Sequence, residues 1–472
     1  MFVGLKIIHK HLTPRQAQKK DYGEVFTPVE LIEQMLMHLP KSDWSNPHLK
    51  WLDPANGIGN FPVVLFYKLD EGLQSVGKHK ELGVDFSNEK QRRKYIIENM
   101  LYMMELQSNN NRIAKNVFKK LCDNCTPNIW TINSLSVTKD DIFKHFNIKS
   151  IDRIVGNPPF QAYQDASDKR GGGDELYMKF VKHSLQILAD NGYLVFVHPS
   201  SWRKPEFSEG RKISKNAGMF QMMAHDNQLI YLEIHGSKDG LAMFKAATRY
   251  DFYTLQKKPA HEKTIIKDQL GVTIELNLKK YNFLPNFDIK NVMKLVAMDN
   301  EAKCDLDSCL LFSTSAYESR RDWVSSKESE KYKYPLVHST PKGGARYMYS
   351  KVNDKGFFGV KKVIFGESGI HEPIIDLSGK YGMTQGAMAI AIDNKSEADN
   401  LVELLESNYF TNVLQACMWG NFRIDWRLFT YFKHKFWDID YNKDEKQLTN
   451  VVDEEKEGGS FKRYNKTRKH KK

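Results

Sequence analysis

The chain has 472 residues, 41% hydrophobic and 27% charged, with a formal net charge of +12 at pH 7. That length supplies cores for about two or three domains, the composition is that of a globular protein, and the basic balance favours a polyanionic partner. No run approaches the roughly 20 apolar residues of a membrane-spanning helix, and residues 1–20 lack the apolar stretch of a signal peptide, so a cytoplasmic protein with no membrane partner is expected.

From about Pro47 to Gln256, short apolar runs alternate with helical patterns, which predicts a parallel sheet flanked by helices. Residues 49–53 read as the first strand, closed by the turn Pro54-Ala55-Asn56-Gly57. A helix follows from about Asn60, with Phe61, Val64, Leu65 and Leu69 on one face. Residues 82–85 are predicted as a second strand and 88–107 as a long amphipathic helix. Residues 128–132 read as a third strand and 151–155 as a fourth. A helix over 175–188 turns at Asn191-Gly192 into a buried strand at 193–198, and 229–234 with 250–255 forms a closing antiparallel pair. Beyond about Lys257 the pattern becomes mixed, aromatic and rich in Lys clusters as far as about Tyr441, with one clear helix at 397–407. Residues 440–460 are acidic and then Gly-rich, which suggests a linker. The last twelve residues, 461–472, hold seven Lys or Arg and no acid. Five cysteines agree with a reducing compartment. Cys122 and Cys125 make half of a zinc-ligand pattern, but Cys304 and Cys309 are too widely spaced to complete it, so no metal is expected.

Three segments carry chemistry. Leu52-Asp53-Pro54-Ala55-Asn56-Gly57-Ile58-Gly59 joins a strand to a helix, where glycine lets a ligand approach the backbone and the helix start offers unpaired N–H groups. Asp53 would repel a pyrophosphate and suits a ligand carrying a cation; an ordinary strand-to-helix turn is the plain alternative. Asp85 closes the next predicted strand, where an acid in a doubly wound fold bonds ribose hydroxyls; a surface acid is the alternative. Ile154-Val155-Gly156-Asn157-Pro158-Pro159-Phe160 is the most specific. A buried strand delivers Asn157 to the carboxyl edge of the sheet, and two prolines stiffen the turn and remove two N–H donors. The Asn157 side-chain oxygen and the Pro158 carbonyl then form a fixed pair of acceptors beside an aromatic ring. An exocyclic amine offers two donors and a flat base offers a face to stack on.

Together these segments resemble the gamma-order N6-adenine DNA methyltransferases of restriction–modification systems, over roughly residues 22–256. The resemblance implies a Rossmann-like, S-adenosylmethionine-dependent α/β methyltransferase domain followed by a mixed α+β target-recognition domain. The expected divisions are 1–260, 280–441 and a linker with basic tail at 442–472. The resemblance places Thr27 and Pro28 in the N-terminal cofactor motif, Asp53, Ala55 and Gly57 in the methionine-binding loop, and Asp85 on the ribose. It makes Asn157, Pro158, Pro159 and Phe160 the catalytic motif, and sets Phe244 against an extruded base. For the residue that meets the cofactor adenine, strand placement picks Asn133 and spacing to Asn157 picks Asp141. Double-stranded DNA is the implied partner, with a separate restriction endonuclease as a companion. RNA or protein-glutamine methyltransferases, which also use Asn-Pro-Pro-aromatic sequences, and a catalytically silent nucleic-acid-binding relative are the rivals. Base reading is expected within 280–441, where Arg346, Arg423 and Arg427 are candidate donors to guanine edges or phosphates.

Overall fold

Strands form in the first half of the chain where apolar residues run without alternation, because a strand covered on both faces needs them on both sides. The computed structural model describes residues 27–160, 176–206, 208–209, 212–298, 300–313, 315–419 and 424–441; the basic tail and Arg423 lie outside them. The chain divides into two compact units, Met1–Phe287 and Asp288–Lys472.

In the first unit, helix α1 (Val29–Leu36) precedes β1 (Trp51–Asp53), which is buried at every residue. The turn after β1 feeds α2 (Asn60–Leu73), where Phe61, Val64, Leu65 and Leu69 are buried as their spacing predicts. A ribbon of β2 (Lys78–His79) and β3 (Val84–Asp85) stands outside the main sheet. Helix α3 (Glu89–Tyr95) widens into a π-helical turn at Ile96–Met100 and gives way to β4 (Leu101–Glu105). There follow α4 (Ser108–Leu121), β5 (Asn128–Thr131), α5 (Lys139–Phe146), β6 (Arg153–Gly156), α6 (Leu176–Ile187) and β7 (Tyr193–Pro199). The unit closes with β8 (Gln228–His235), α7 (Ser237–Phe244), β9 (Tyr250–Gln256), β10 (Thr264–Lys267) and β11 (Thr273–Leu276).

The nine-stranded sheet has the order β11-β10-β8-β9-β7-β6-β1-β4-β5. Strands β5, β4, β1, β6 and β7 are parallel neighbours, β9 runs antiparallel between β7 and β8, and β10 is parallel to β8. The carboxyl ends of β1, β4, β5, β6 and β7 therefore open on one edge, where doubly wound sheets bind ligands.

Two expectations are corrected here. Residues 82–85 are not a strand of the sheet, and residues 88–107 are not one helix. Ile96, Ile97, Met100, Leu101 and Met104 fall at helical spacing, but Leu101–Met104 is also an unbroken apolar run, and a slot beside β1 covered on both faces favours the strand. All of β4 is buried. Helix α3 is capped at its start by Asn88, and its Arg92 turns inward to Asp70 (2.7 Å) and the Phe86 carbonyl (2.7 Å).

The sheet also takes in β10 and β11, past the change of sequence pattern near residue 260. Arg203, fully buried, explains how the later chain stays attached. It donates to Asp251 on β9 (2.7 and 2.9 Å), to the carbonyls of Leu284 and Pro285 (2.8 and 3.0 Å) and to Asn286 (3.0 Å). A buried guanidinium requires that many acceptors.

The second unit holds α8 (Ile289–Leu295) and two four-stranded sheets. One has the order β12 (Leu310–Leu311), β19 (Ala387–Ala391), β16 (Lys362–Gly366), β17 (Gly369–Asp376). The other has the order β13 (Val324–Ser325), β15 (Arg346–Ser350), β14 (Tyr334–Ser339), β18 (Gly382–Met383). Helices α9 (Lys395–Glu406) and α10 (Asn408–Ala416) follow; α9 falls where the sequence predicts it. Cys122 lies against Cys125 and Cys304 against Cys309. Among the described residues no His, Cys, Asp or Glu cluster could hold a metal, and no helix is long and apolar enough to cross a membrane.

Candidate functional site

The turn after β1 is built around a buried carboxylate. Asp53, 2% exposed, accepts from the N–H of Ala55 (3.0 Å). Burial pushes its carboxyl well above the ordinary carboxylate range; neighbouring Glu105 adds to the rise, while the Ala55 N–H opposes it. Gly57 and Gly59 take left-handed φ values of 52° and 98°, which other residues adopt at a cost, and a side chain at Gly57 would meet nothing within 4 Å. Beside this open backbone, Asn56 Oδ1 and Asn60 Oδ1 are buried acceptors with no hydrogen-bond partner among the described residues. A buried carboxylate at the glycine turn, with buried amide oxygens on Asn56 and Asn60 nearby in the chain, suits a ligand bearing a cation and N–H or O–H donors.

The acid on the neighbouring strand is Glu105, at the end of β4, and not Asp85. Glu105 Oε2 accepts from the N–H of Gly57 (3.0 Å) and Oε1 from that of Gln107 (2.8 Å), which ties the β4 terminus to the glycine turn. Asp85 sits on the outlying ribbon, bonded to the N–H of Ser87 (3.0 Å) and to its hydroxyl. The Ser87 hydroxyl is the main cause of its lowered pKa. Sequence reading missed Glu105 because β4 was taken as helix. The signal was present in Leu101-Tyr102-Met103-Met104-Glu105, an apolar run ending in an acid like Trp51-Leu52-Asp53.

Of the two candidates beyond β5, Asn133 follows the strand directly and caps the short turn at Ser134–Ser136, accepting from Leu135 N–H (3.1 Å). Asp141 is drawn into the first turn of α5. Its carboxylate accepts from the Thr138 hydroxyl (2.7 Å) and N–H (2.9 Å), a reciprocal cap that holds its pKa low. Strand placement favours Asn133 over Asp141, although both side chains accept local hydrogen bonds. Ser134 also donates its hydroxyl to the Pro54 carbonyl (2.5 Å), which closes the β5 end onto the β1 turn.

Next along the same edge, β6 ends at Gly156 and releases Asn157-Pro158-Pro159-Phe160. A Cβ on Gly156 would lie 2.9 Å from Asp53 Oδ1, so this glycine is what lets β6 pass the buried carboxylate. The Asn157 amide Nδ2 donates to the Thr27 hydroxyl (3.0 Å). Pro158 is buried, while Asn157, Pro159 and Phe160 are half-buried. The Phe160 ring meets Phe244, the last residue of α7, edge-on at 6.1 Å, and Phe244 packs against Tyr250 at 4.9 Å. Phe244 is 3% exposed and forms the apolar wall beside Phe160. Thus Thr27, Asp53, Ala55, Gly57, Asn133, Asn157, Pro158, Pro159, Phe160 and Phe244 line one edge and its cover. Pro28 adjoins them at the start of α1, and Asp85 and Asp141 are engaged elsewhere.

Residues 82–232 match the family described as Eco57I restriction-modification methylase. A curated relative, an uncharacterized adenine-specific methylase of Mycoplasma pneumoniae, is 25% identical over a stretch covering 38% of this chain and 55% of that protein. The chain thus spans about half the length of the curated relative it matches. Among solved structures, the Type IIL restriction-modification enzyme MmeI, in complex with DNA, is 12% identical; 95% of this chain and 73% of that one are covered, at a TM-score of 0.52. The ATP-dependent Type ISP restriction-modification enzyme LlaBIII, bound to DNA, is 14% identical, with 95% and 40% covered at a TM-score of 0.53. At these identities the likeness is one of fold.

Proposed function

We propose that this chain, which carries a restriction–modification methylase domain at residues 82–232, transfers a methyl group from S-adenosylmethionine to the N6 amino group of adenine in double-stranded DNA. The observation that carries this reading is the meeting, at one sheet edge, of the buried Asp53 carboxylate and the Asn157–Phe160 motif, joined through Gly156. The residues fit the cofactor. Asp53 would hold its ammonium group, Glu105 its ribose hydroxyls and Asn133 its adenine, with the unspent oxygens of Asn56 and Asn60 facing its donors. When bound, it supplies an activated methyl group.

The chain's own residues then handle the base. The target amine lies inside a stacked duplex and must be swung out, at a cost of a few kcal/mol, of which stacking on Phe160 returns about 1–3 kcal/mol. Asn157 Oδ1 and the Pro158 carbonyl accept from the two N–H groups of the amine. Those bonds favour a pyramidal nitrogen with its lone pair directed at the methyl group, and so stabilise the transition state more than the ground state.

Recognition is proposed for the second unit. Arg427 is paired with Asp425 through both its Nε and Nη2, which leaves Arg346 as the described candidate. It is exposed at the start of β15, after the loop Lys342-Gly343-Gly344-Ala345. Beside it Tyr347 stacks on Tyr381 at 5.7 Å. The turn carrying Lys380 and Tyr381 is pinned by the buried Lys362–Asp376 pair, with Asp376 accepting both of their N–H groups (2.9 and 3.0 Å). Exposed cations beside an aromatic pair, one of whose rings stands on a pinned turn, suit a DNA groove better than a protein glutamine. A separate restriction endonuclease would share the target sequence.

The test is to supply labelled cofactor with duplex DNA, RNA or protein, and to identify the product nucleoside by mass spectrometry. N6-methyladenine in DNA is expected. Asn157→Ala should lower transfer by about 10²–10³-fold with cofactor affinity nearly unchanged. Label in RNA or protein, or equal loss of binding and transfer in the variant, would refute the reading.

A further inference from the structure

We propose that Thr27 is a positioning residue that holds the Asn157 amide in the orientation methyl transfer requires. This rests on the reading that Asn157 accepts from the target amine. Thr27 is 3% exposed, and two side-chain amides from different elements converge on it. Asn60, the first residue of α2, donates to its carbonyl (3.0 Å), and Asn157, just past β6, donates to its hydroxyl (3.0 Å). Pro28, at φ −61° and ψ 149°, turns the chain into α1 immediately afterwards, and its carbonyl accepts from Ile32 N–H (3.1 Å). Thr27 is therefore fixed by the glycine-turn helix on one side and by α1 on the other, and it presents its hydroxyl to Asn157 from a rigid base.

The two ends of a side-chain amide are chemically opposite, since Nδ2 only donates and Oδ1 only accepts. An amine with two hydrogens needs the acceptor, and a flipped amide would set N–H against N–H. With Nδ2 donating to the Thr27 hydroxyl, the acceptor Oδ1 is the other end of the amide, buried in the ligand-free chain. The resemblance places Thr27 among the residues that bind the cofactor; this contact gives it a different task, to set the rotamer of the residue that touches the substrate.

Thr27→Val keeps the shape and removes the hydroxyl, whereas Thr27→Ser keeps the hydroxyl. In the full chain, single-turnover methylation of duplex DNA is measured at saturating cofactor, alongside calorimetric Kd for S-adenosylhomocysteine and the Tm. Thr27→Val is expected to slow transfer about tenfold, the worth of one buried hydrogen bond, with Kd within about twofold and Tm little changed; Thr27→Ser should recover most of the rate. In an Asn157→Ala background, Thr27→Val should cost nothing further, because the two act as one unit. A wild-type rate in Thr27→Val overturns the proposal. So does a loss that vanishes when cofactor saturates, or an undiminished further loss in the Asn157→Ala background. If the unaltered chain methylates no adenine in DNA, the functional reading fails first, and that result is separate from all of these.

Discussion

Burial sets Asp53 against its own ionisation, and this has consequences for stability. Its carboxyl is harder to ionise in the fold than in the unfolded chain. Such a group withdraws stability as pH climbs past the unfolded carboxylate's value, and the loss is complete above the folded value. Asp53→Asn should therefore stabilise the ligand-free protein near neutral pH and raise its Tm. The gain should shrink as pH falls toward the ordinary carboxylate range. The same variant should weaken cofactor binding roughly ten- to hundredfold, since a charge-assisted hydrogen bond is worth about 1.5–3 kcal/mol. Melting curves across pH, together with calorimetry, check both. A variant that binds normally, or whose Tm gain does not depend on pH, would contradict this account of the pocket. At this scale much was legible in the sequence: Asp53, Gly57 and Asn157–Phe160 announce themselves because acid, glycine and proline have few substitutes at such turns. The buried acceptors of Asn56 and Asn60 were not legible, because an unspent lone pair is a property of packing.

Elements were harder to read than residues, and β4 shows why. Ile96, Ile97, Met100, Leu101 and Met104 satisfy helical spacing, so the run could not declare itself a strand until a slot beside β1 was available to cover both of its faces. The helical reading left Asp85 as the expected ribose-binding acid, whereas the acid at the end of the neighbouring sheet strand, and our proposed one, is Glu105. A pair of variants distinguishes the two assignments. Glu105→Gln should raise the cofactor Kd by about tenfold or more, and Asp85→Asn should leave it unchanged, because its carboxylate serves the outlying ribbon and its turn, at Ser87, Asn88 and Lys78. Equal effects from the two would return the role to the ribbon. By contrast, β6, β7, β8 and β9 were read to within a residue or two, since their apolar runs are short and bounded by turns such as Asn191-Gly192. The expected restriction–modification resemblance and α/β fold class are both met.

For the whole molecule, the second unit yielded least to sequence reading. Its strands are short, and only the amphipathic α9 gave a periodic signal. If base reading lies there, Arg346→Ala should relax the target at one position, at about 1–3 kcal/mol per lost bidentate contact. The rate on the preferred sequence should stay within an order of magnitude of wild type at saturating DNA. Methylation-sensitive sequencing of DNA from expressing cells would register the change, and an unaltered target set would remove Arg346 from recognition. The passage of β6 past Asp53 reaches further, into how such a chain can vary. Because a single methyl group at position 156 would lie 2.9 Å from the Asp53 carboxylate, positions 53 and 156 are not free to drift independently. In descendants of this chain, any residue larger than glycine at 156 should be accompanied by loss or displacement of the acid at 53, so that the two positions are inherited as one character.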